Sequence, residues 1–128
     1  LNNKYIDVYN QGNMSRDFTY IDDIVNGTLS IIYFDFKLKK TTRINSNFNI
    51  FNLGNSKSIK LMKFINILEK NLNKKAKINF LPMHTSDVKN THADISLSNK
   101  VFNYQPKVDI KIGLKNLVNW YLDYYKYE

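Results

Sequence analysis

Arg16-Asp17-Phe18-Thr19-Tyr20-Ile21-Asp22-Asp23-Ile24 is the stretch on which the reading of this chain turns. It sets an isolated arginine, two aromatics and three carboxylates against the start of an apolar helix. Asn10, Gly12 and Asn13 mark a turn before it. Arg16 is one of few arginines among many lysines, and its planar fork of donors fits phosphate or carboxylate as lysine does not. Phe18-Thr19-Tyr20 reads as a short extended piece. From Ile21 the period changes: Ile21, Ile24, Val25, Thr28, Leu29 and Ile32 recur at helical spacing. Thr19 and Asp22 have capping-box spacing, and Asp22 and Asp23 fall where the helix dipole favours anions. Neighbouring helix positions point about 100° apart, so these two aspartates cannot share a proton as a dyad. Asp23 is expected to be buried and hydrogen-bonded to backbone. Asn26-Gly27 also reads as a hairpin turn, but the apolar period crosses it. Helix is preferred, with Gly27 marking a close approach to a neighbouring element.

Before it, Tyr5-Ile6-Asp7-Val8-Tyr9 is a β-rich run ending in the polar turn and reads as a strand. Beyond the first helix, 36–46 reads as a basic, polar connector. Phe48 to Leu53 alternates and stops at Gly54-Asn55, a strand closed by a turn. Ser58 reads as the N-cap of a helix with Leu61, Ile65, Leu68 and Leu72 on one stripe. Lys77 to Leu81 alternates again and ends at Pro82. Residues 83–94 show no period. Leu97 to Phe102 suggests a short helix, broken before Pro106. The last helix, from about Ile110, has Leu114, Leu117, Val118, Tyr121, Leu122 and Tyr125 on one face. The order is β–turn–α–β–α–β–loop–α–α, an α/β arrangement in which no repeat or domain linker is visible.

The chain has 128 residues, one domain or a piece of a larger one, with 43% hydrophobic and 14% aromatic residues. That composition is folded, not disordered. There is no cysteine, which excludes disulfides and thiolate metal sites and fits a reducing compartment. Leu1 to Tyr5 does not read as a signal peptide, and no apolar run approaches membrane-spanning length. Without an initiator methionine, the chain is expected to be a fragment of a longer protein. The formal charge of +8 suits an anionic partner, but also a lysine-rich compositional bias spread over a solvated surface. Lys37, Lys39 and Lys40, then Lys74, Lys75 and Lys77, are the clusters.

Gly12-x-Met14-x-Arg16-Asp17-Phe18-Thr19-Tyr20-Ile21-Asp22-Asp23-Ile24-Val25-x-Gly27 resembles the segment entering the carboxy-terminal region of extended short-chain dehydrogenase/reductase enzymes. Nucleotide-sugar 4-epimerases are the nearest likeness, UDP-glucuronate 4-epimerases in particular. The likeness is collinear over nearly the whole chain. Phe51-Asn52-Leu53-Gly54-Asn55 with Leu61-Met62-x-Phe64-Ile65 is similar to the family's strand-turn-helix. Leu81-Pro82-Met83-x-x-x-Asp87-Val88-x-x-Thr91-x-Ala93-Asp94 is similar to its substrate loop. Phe102-x-Tyr104-x-Pro106 and the Trp120-Tyr121 helix are similar to its end.

The resemblance implies the carboxy-terminal, UDP-sugar-binding part of a Rossmann-type fold over residues 1–128, without the amino-terminal dinucleotide-binding portion. It also implies a cytoplasmic enzyme, homodimeric at full length, with tightly held NAD. In the family a hydride leaves C4 of the sugar and returns to the other face, and the cofactor carries the redox step. The glycine-rich phosphate loop and Tyr-x-x-x-Lys pair belong to the amino-terminal portion. Here Gly12, Gly27, Gly54 and Gly113 are too far apart for G-x-G-x-x-G. Tyr33-x-x-x-Lys37 lies after the Arg-Asp-Phe motif, on the wrong side of it, and reads as chance. No catalytic residue is therefore assigned, and the chain alone is expected not to catalyse.

By resemblance Arg16 contacts the diphosphate; its alternative is an ion pair with Asp17 or Asp22. Asp87 accepts from ribose hydroxyls; its alternative is an Asx-type turn at Thr85-Ser86-Asp87. His84 stands where relatives carry arginine or glutamine and would donate to phosphate in a pH-dependent way. Thr85-Ser86 replaces the relatives' Pro-Gly, which leaves the loop's shape and the sugar preference open. Val8 and Tyr9 align with the uracil-contacting strand, where Tyr9 either stacks on the base or joins the core. Phe18 and Tyr20 support the site from the core. A metal site from His84, His92, Asp87 and Asp94 is not expected. Two other classes stay in view: a non-catalytic module that binds a nucleotide-sugar or a partner chain, and a small basic nucleic-acid-binding protein, whose affinity would fall steeply with salt. In such enzymes the first helix and the 48–53 strand pack on the Rossmann portion, so an apolar surface is expected on this chain alone.

Overall fold

The computed structural model describes residues 1–34 and 50–126. The arrangement is mixed α/β, as expected. Strand β1 (Tyr5–Val8) leads through a short 3-10 turn (Tyr9–Gly12) to β2 (Ser15–Asp17) and helix α1 (Ile21–Tyr33). Strand β3 (Ser58–Lys60) runs straight into α2 (Leu61–Leu72), followed by β4 (Lys77–Phe80), α3 (Ser96–Phe102) and α4 (Ile110–Tyr124). β1 pairs in parallel with β4, Tyr5 opposite Lys77 and Val8 opposite Phe80. β2 pairs antiparallel with β3, Arg16 opposite Ile59. On its other edge β2 receives residues 89–91: the Ser15 N–H donates to the Lys89 carbonyl (3.0 Å) and the Thr91 N–H to the Ser15 carbonyl (3.2 Å). Three residues of β2 thus hold two separate parts of the chain.

Val8, Met14, Ile65, Tyr104, Leu114 and Val118 form the apolar core. α2 packs on α4, and Phe18 stacks on Phe64 at 4.1 Å, so Phe18 supports β2 from within. Gly27 lies against Tyr104: a Cβ there would stand 2.7 Å from the ring. The expected close approach on α1 is present. Asp23 is buried, and its carboxylate accepts the N–H groups of Lys107 and Val108, both at 3.0 Å.

Several expectations are corrected. The extended piece before α1 is Ser15–Asp17, not Phe18–Tyr20, because pairing with β3 ends at Asp17. No capping box forms at Thr19; the N-cap of α1 is Tyr20, without a side-chain bond. Ser58 is no N-cap either. It is spent in β3, and the Leu61 N–H that opens α2 is satisfied by the Met14 carbonyl at 2.8 Å. The cap that does form is Asp109 on α4, accepting from the Lys111 N–H at 2.9 Å. Within 48–53, residues 50–53 carry no strand, and Phe48 and Asn49 lie outside the described residues, as does the 36–46 connector. On α4 the buried face holds Leu114 and Val118, while Leu117 and Tyr125 are exposed. On α1 the buried positions are Asp23 and Gly27, and the periodic apolar residues Ile21, Val25, Leu29 and Ile32 face outward.

Candidate functional site

Arg16 is held at the centre of β2, and its side chain reaches the loop that follows β4. Its Nη1 donates to the carbonyls of Ser15 (2.9 Å) and Lys89 (3.1 Å), and its Nη2 to Asp87 Oδ1 at 2.8 Å. The ion pair therefore joins the two foremost candidates, not Arg16 to Asp17 or Asp22. Asp87 sits in a turn as well: its N–H donates to the His84 carbonyl (3.1 Å) and its Oδ1 accepts from the Val88 N–H (2.8 Å). The turn and the ion pair coexist. The side chains are 26% and 35% exposed. A pair that open contributes about 0–1 kcal/mol to stability, so its geometry matters more for what it presents outward. A guanidinium has five N–H donors. Three have partners here, which leaves two donors beside the unengaged Oδ2 of Asp87 among the described residues. The pair thus sets donors suited to an anion next to an acceptor suited to hydroxyls.

The remaining candidates lie on β1, in the turn after it and in the loop that follows β4. The Val8 side chain is buried, and its carbonyl accepts the Leu81 N–H at 3.0 Å. Any contact from Val8 to a ligand would come from its backbone. Tyr9 is 39% exposed, so it is not core in this chain. His84 is exposed, with Nδ1 2.7 Å from Ser86 Oγ. Gln11 N–H donates to the Leu81 carbonyl at 3.2 Å. The loop thus leaves β4 beside Val8 and Tyr9 and comes to rest on β2 beside Arg16. Distances place Arg16 on Asp87; His84 is one turn away along the loop, and Tyr9 lies across its root.

Asp17, which the sequence does not single out, is a hub of hydrogen bonds. Its Oδ1 accepts the Asn55 N–H (3.1 Å), and its Oδ2 accepts those of Ser56 and Ala93, both at 2.9 Å. Its own N–H donates to Thr91 Oγ1 at 3.0 Å. The available signal was strand alternation, which puts Asp17 on the face opposite Arg16. Gly54 lies where any Cβ would collide with the Ala93 methyl.

Asp94 is spent on α3: its Oδ1 accepts the Ser96 N–H at 2.9 Å. Hydrogen bonds from the Ser96 side chain and backbone, with a smaller pull from His92, hold its carboxyl below the ordinary value. Among the described residues no group of three or more His, Asp or Glu stands close enough to share a metal ion. Nor do they offer the strand-to-helix phosphate cradle of a dinucleotide-binding fold. β1 runs into a left-handed turn and then β2, not into a helix N-terminus, and the first turn of α1 carries Asp22 and Asp23, which repel phosphate. Tyr33 is 81% exposed, and Lys37 lies outside the described residues.

No family model matches the chain. Solved structures match its fold over nearly all its length. An epimerase from Methanothermobacter thermautotrophicus aligns with a TM-score of 0.80 at 20% identity, over 98% of this chain and 35% of that one. A UDP-glucuronic acid 4-epimerase from Bacillus cereus, in complex with UDP-glucuronic acid and NAD, aligns with a TM-score of 0.76 at 29% identity, over 96% of this chain and 37% of that one. The chain therefore has the fold of the carboxy-terminal part of Rossmann-type epimerases of the short-chain dehydrogenase/reductase kind. Its homologues include UDP-glucuronate 4-epimerases. Those of Arabidopsis thaliana (isoform 1) and Thermodesulfobacterium geofontis are 43% and 42% identical, over 99% and 91% of this chain but 31% and 33% of their own length. A protein of Methanocaldococcus jannaschii of uncharacterised function is 54% identical over 94% of this chain and 34% of its own. The chain spans about a third of the length of these curated relatives.

Proposed function

We propose that this chain is the UDP-sugar-binding part of an NAD-dependent nucleotide-sugar 4-epimerase, with UDP-glucuronate and UDP-galacturonate as the interconverted pair, and that it does not catalyse alone. The observation that carries this is the Arg16–Asp87 pair at 2.8 Å, because it sets anion donors beside a hydroxyl acceptor. In this reading Arg16 takes the diphosphate, Asp87 the ribose hydroxyls, and His84 lies near the phosphates. The backbone of Val8 and the ring of Tyr9 meet the uracil. NAD supplies the hydride chemistry and is held by a dinucleotide-binding portion outside these residues. The outward apolar stripe of α1 is where that portion docks. The whole enzyme works in the cytoplasm as a homodimer, an expectation that rests on the resemblance alone. No described helix is long and apolar enough to cross a membrane.

Titration calorimetry with UDP tests the reading. Arg16→Ala should weaken binding by about ten- to a hundredfold, since hydrogen bonds to charged groups contribute about 1.5–3 kcal/mol. Arg16→Lys should fall between, keeping the charge but losing the fork. Equal affinity in all three chains would rule the site out. UDP-galacturonate formed by this chain from UDP-glucuronate and NAD would overturn its lack of catalysis. The lack of a dinucleotide cradle among the described residues favours a second reading, a non-catalytic module that binds the nucleotide-sugar. Full turnover on adding a dinucleotide-binding portion would exclude it.

A further inference from the structure

We propose that Asp17 is a positioning residue for the nucleotide-sugar site, acting through Arg16 and Asp87 without touching the ligand; this rests on the reading of that site given above. Its carboxylate takes three backbone N–H groups from two different parts of the chain. Asn55 and Ser56 belong to the turn that feeds β3, and Ala93 belongs to the loop that carries Asp87. The Asp17 N–H adds a fourth bond, to Thr91 Oγ1 at 3.0 Å. On the same strand, Ser15 Oγ donates to Asn90 Oδ1 at 2.7 Å and Arg16 Nη1 to the Lys89 carbonyl at 3.1 Å. Residues 87–93 are therefore fixed at both ends: upstream by Arg16 on one face of β2, downstream by Asp17 on the other. Gly54 lets the Ala93 methyl approach closely enough for the downstream clamp to close.

The clamp requires a carboxylate. Two of its three N–H donors converge on Oδ2 and one on Oδ1. An asparagine offers one carbonyl oxygen and one NH₂, so at least one backbone N–H then faces a donor. The unpaired group weakens the clamp and lets Ala93 drift from Gly54. Asp87, six residues upstream on the same loop, then loses its register with Arg16.

Three measurements on the isotopically labelled chain decide this. In Asp17→Asn, amide hydrogen exchange should rise at Asn55, Ser56 and Ala93 while the amides of α2 and α4 keep their wild-type rates. Affinity for UDP should fall about tenfold, the size expected for one lost bond to a charged acceptor. In an Arg16→Ala background the same substitution should lower UDP affinity by clearly less than it does in the wild type, because a residue that acts through Arg16 is non-additive with it. Uniformly raised exchange, unchanged exchange, or full additivity with Arg16→Ala would each overturn the proposal. If Asp17→Asn does not fold, Thr91→Val removes only the fourth bond. It should raise exchange at Asp17 and Ala93 and weaken UDP about threefold; no change would again overturn the proposal. If the wild-type chain itself fails to bind UDP, that failure belongs to the site reading. The clamp is then decided by exchange alone, a rise confined to the three amides supporting it and any other pattern refuting it.

Discussion

At the residue scale, Tyr104 shows how burial couples to charge. It is 4% exposed, and its hydroxyl donates to the Gly54 carbonyl at 3.0 Å. Burial, with the charges of Asp23 and Asp17 adding to it, pushes its phenol above the ordinary tyrosine value of 10.0. A folded value above the unfolded one means that stability tied to this proton is complete below about pH 10 and lost as pH rises through the folded value. Urea unfolding should therefore lose more stability as the pH rises above about 10 in the wild type than in Tyr104→Phe. At pH 7 the variant should be less stable by about 1 kcal/mol, since the Gly54 carbonyl loses its donor. Parallel pH profiles would refute the coupling. Asp23 was legible beforehand, because a second aspartate one position along a helix must point elsewhere. The Arg16–Asp87 partnership was not, because the two residues are 71 positions apart.

At the scale of the element, α1 carries two faces of opposite character. The inner one is set by Gly27, where a Cβ would stand 2.7 Å from the Tyr104 ring and 3.0 Å from Leu53 Cδ2. Overpacking costs about 1–3 kcal/mol, and the better helix propensity of alanine offsets about 1 kcal/mol of that. Contacts this short, with a buried ring on one side, put Gly27→Ala at the costly end. The urea midpoint should fall; an unchanged or higher midpoint would show that the ring moves aside freely. The helices themselves were readable from their period, but their starts were not. Ser58 and Thr19 have the right chemistry for caps. At α2 the opening N–H is instead bonded to the backbone of Met14, a contact that depends on β3 being paired with β2.

At the scale of the molecule, the outer face of α1 is unpartnered among the described residues. Ile21, Val25, Leu29 and Ile32 are 61%, 45%, 41% and 68% exposed and spaced along one stripe. A contiguous apolar strip of this kind marks an interaction surface. The purified chain should self-associate in sedimentation or bind a hydrophobic dye, and Val25→Ser with Leu29→Ser should reduce both. A compact monomer that binds no dye would remove the docking role of α1.

The sequence alone carries what depends on neighbours a few positions away: the apolar periods of the helices, the short strands at Tyr5 and Lys77, and the inward turn of Asp23. It also carried the collinear likeness that pointed to a sugar-nucleotide site. Only the tertiary structure decided which face of α1 is buried, why Ser58 belongs to a strand, and that β2 holds one loop from both of its faces. The physical reason is the range of the interactions. A helical period is written in every turn. The partner of a carboxylate such as Asp17 lies 38 to 76 residues away and is chosen by how the strands pair.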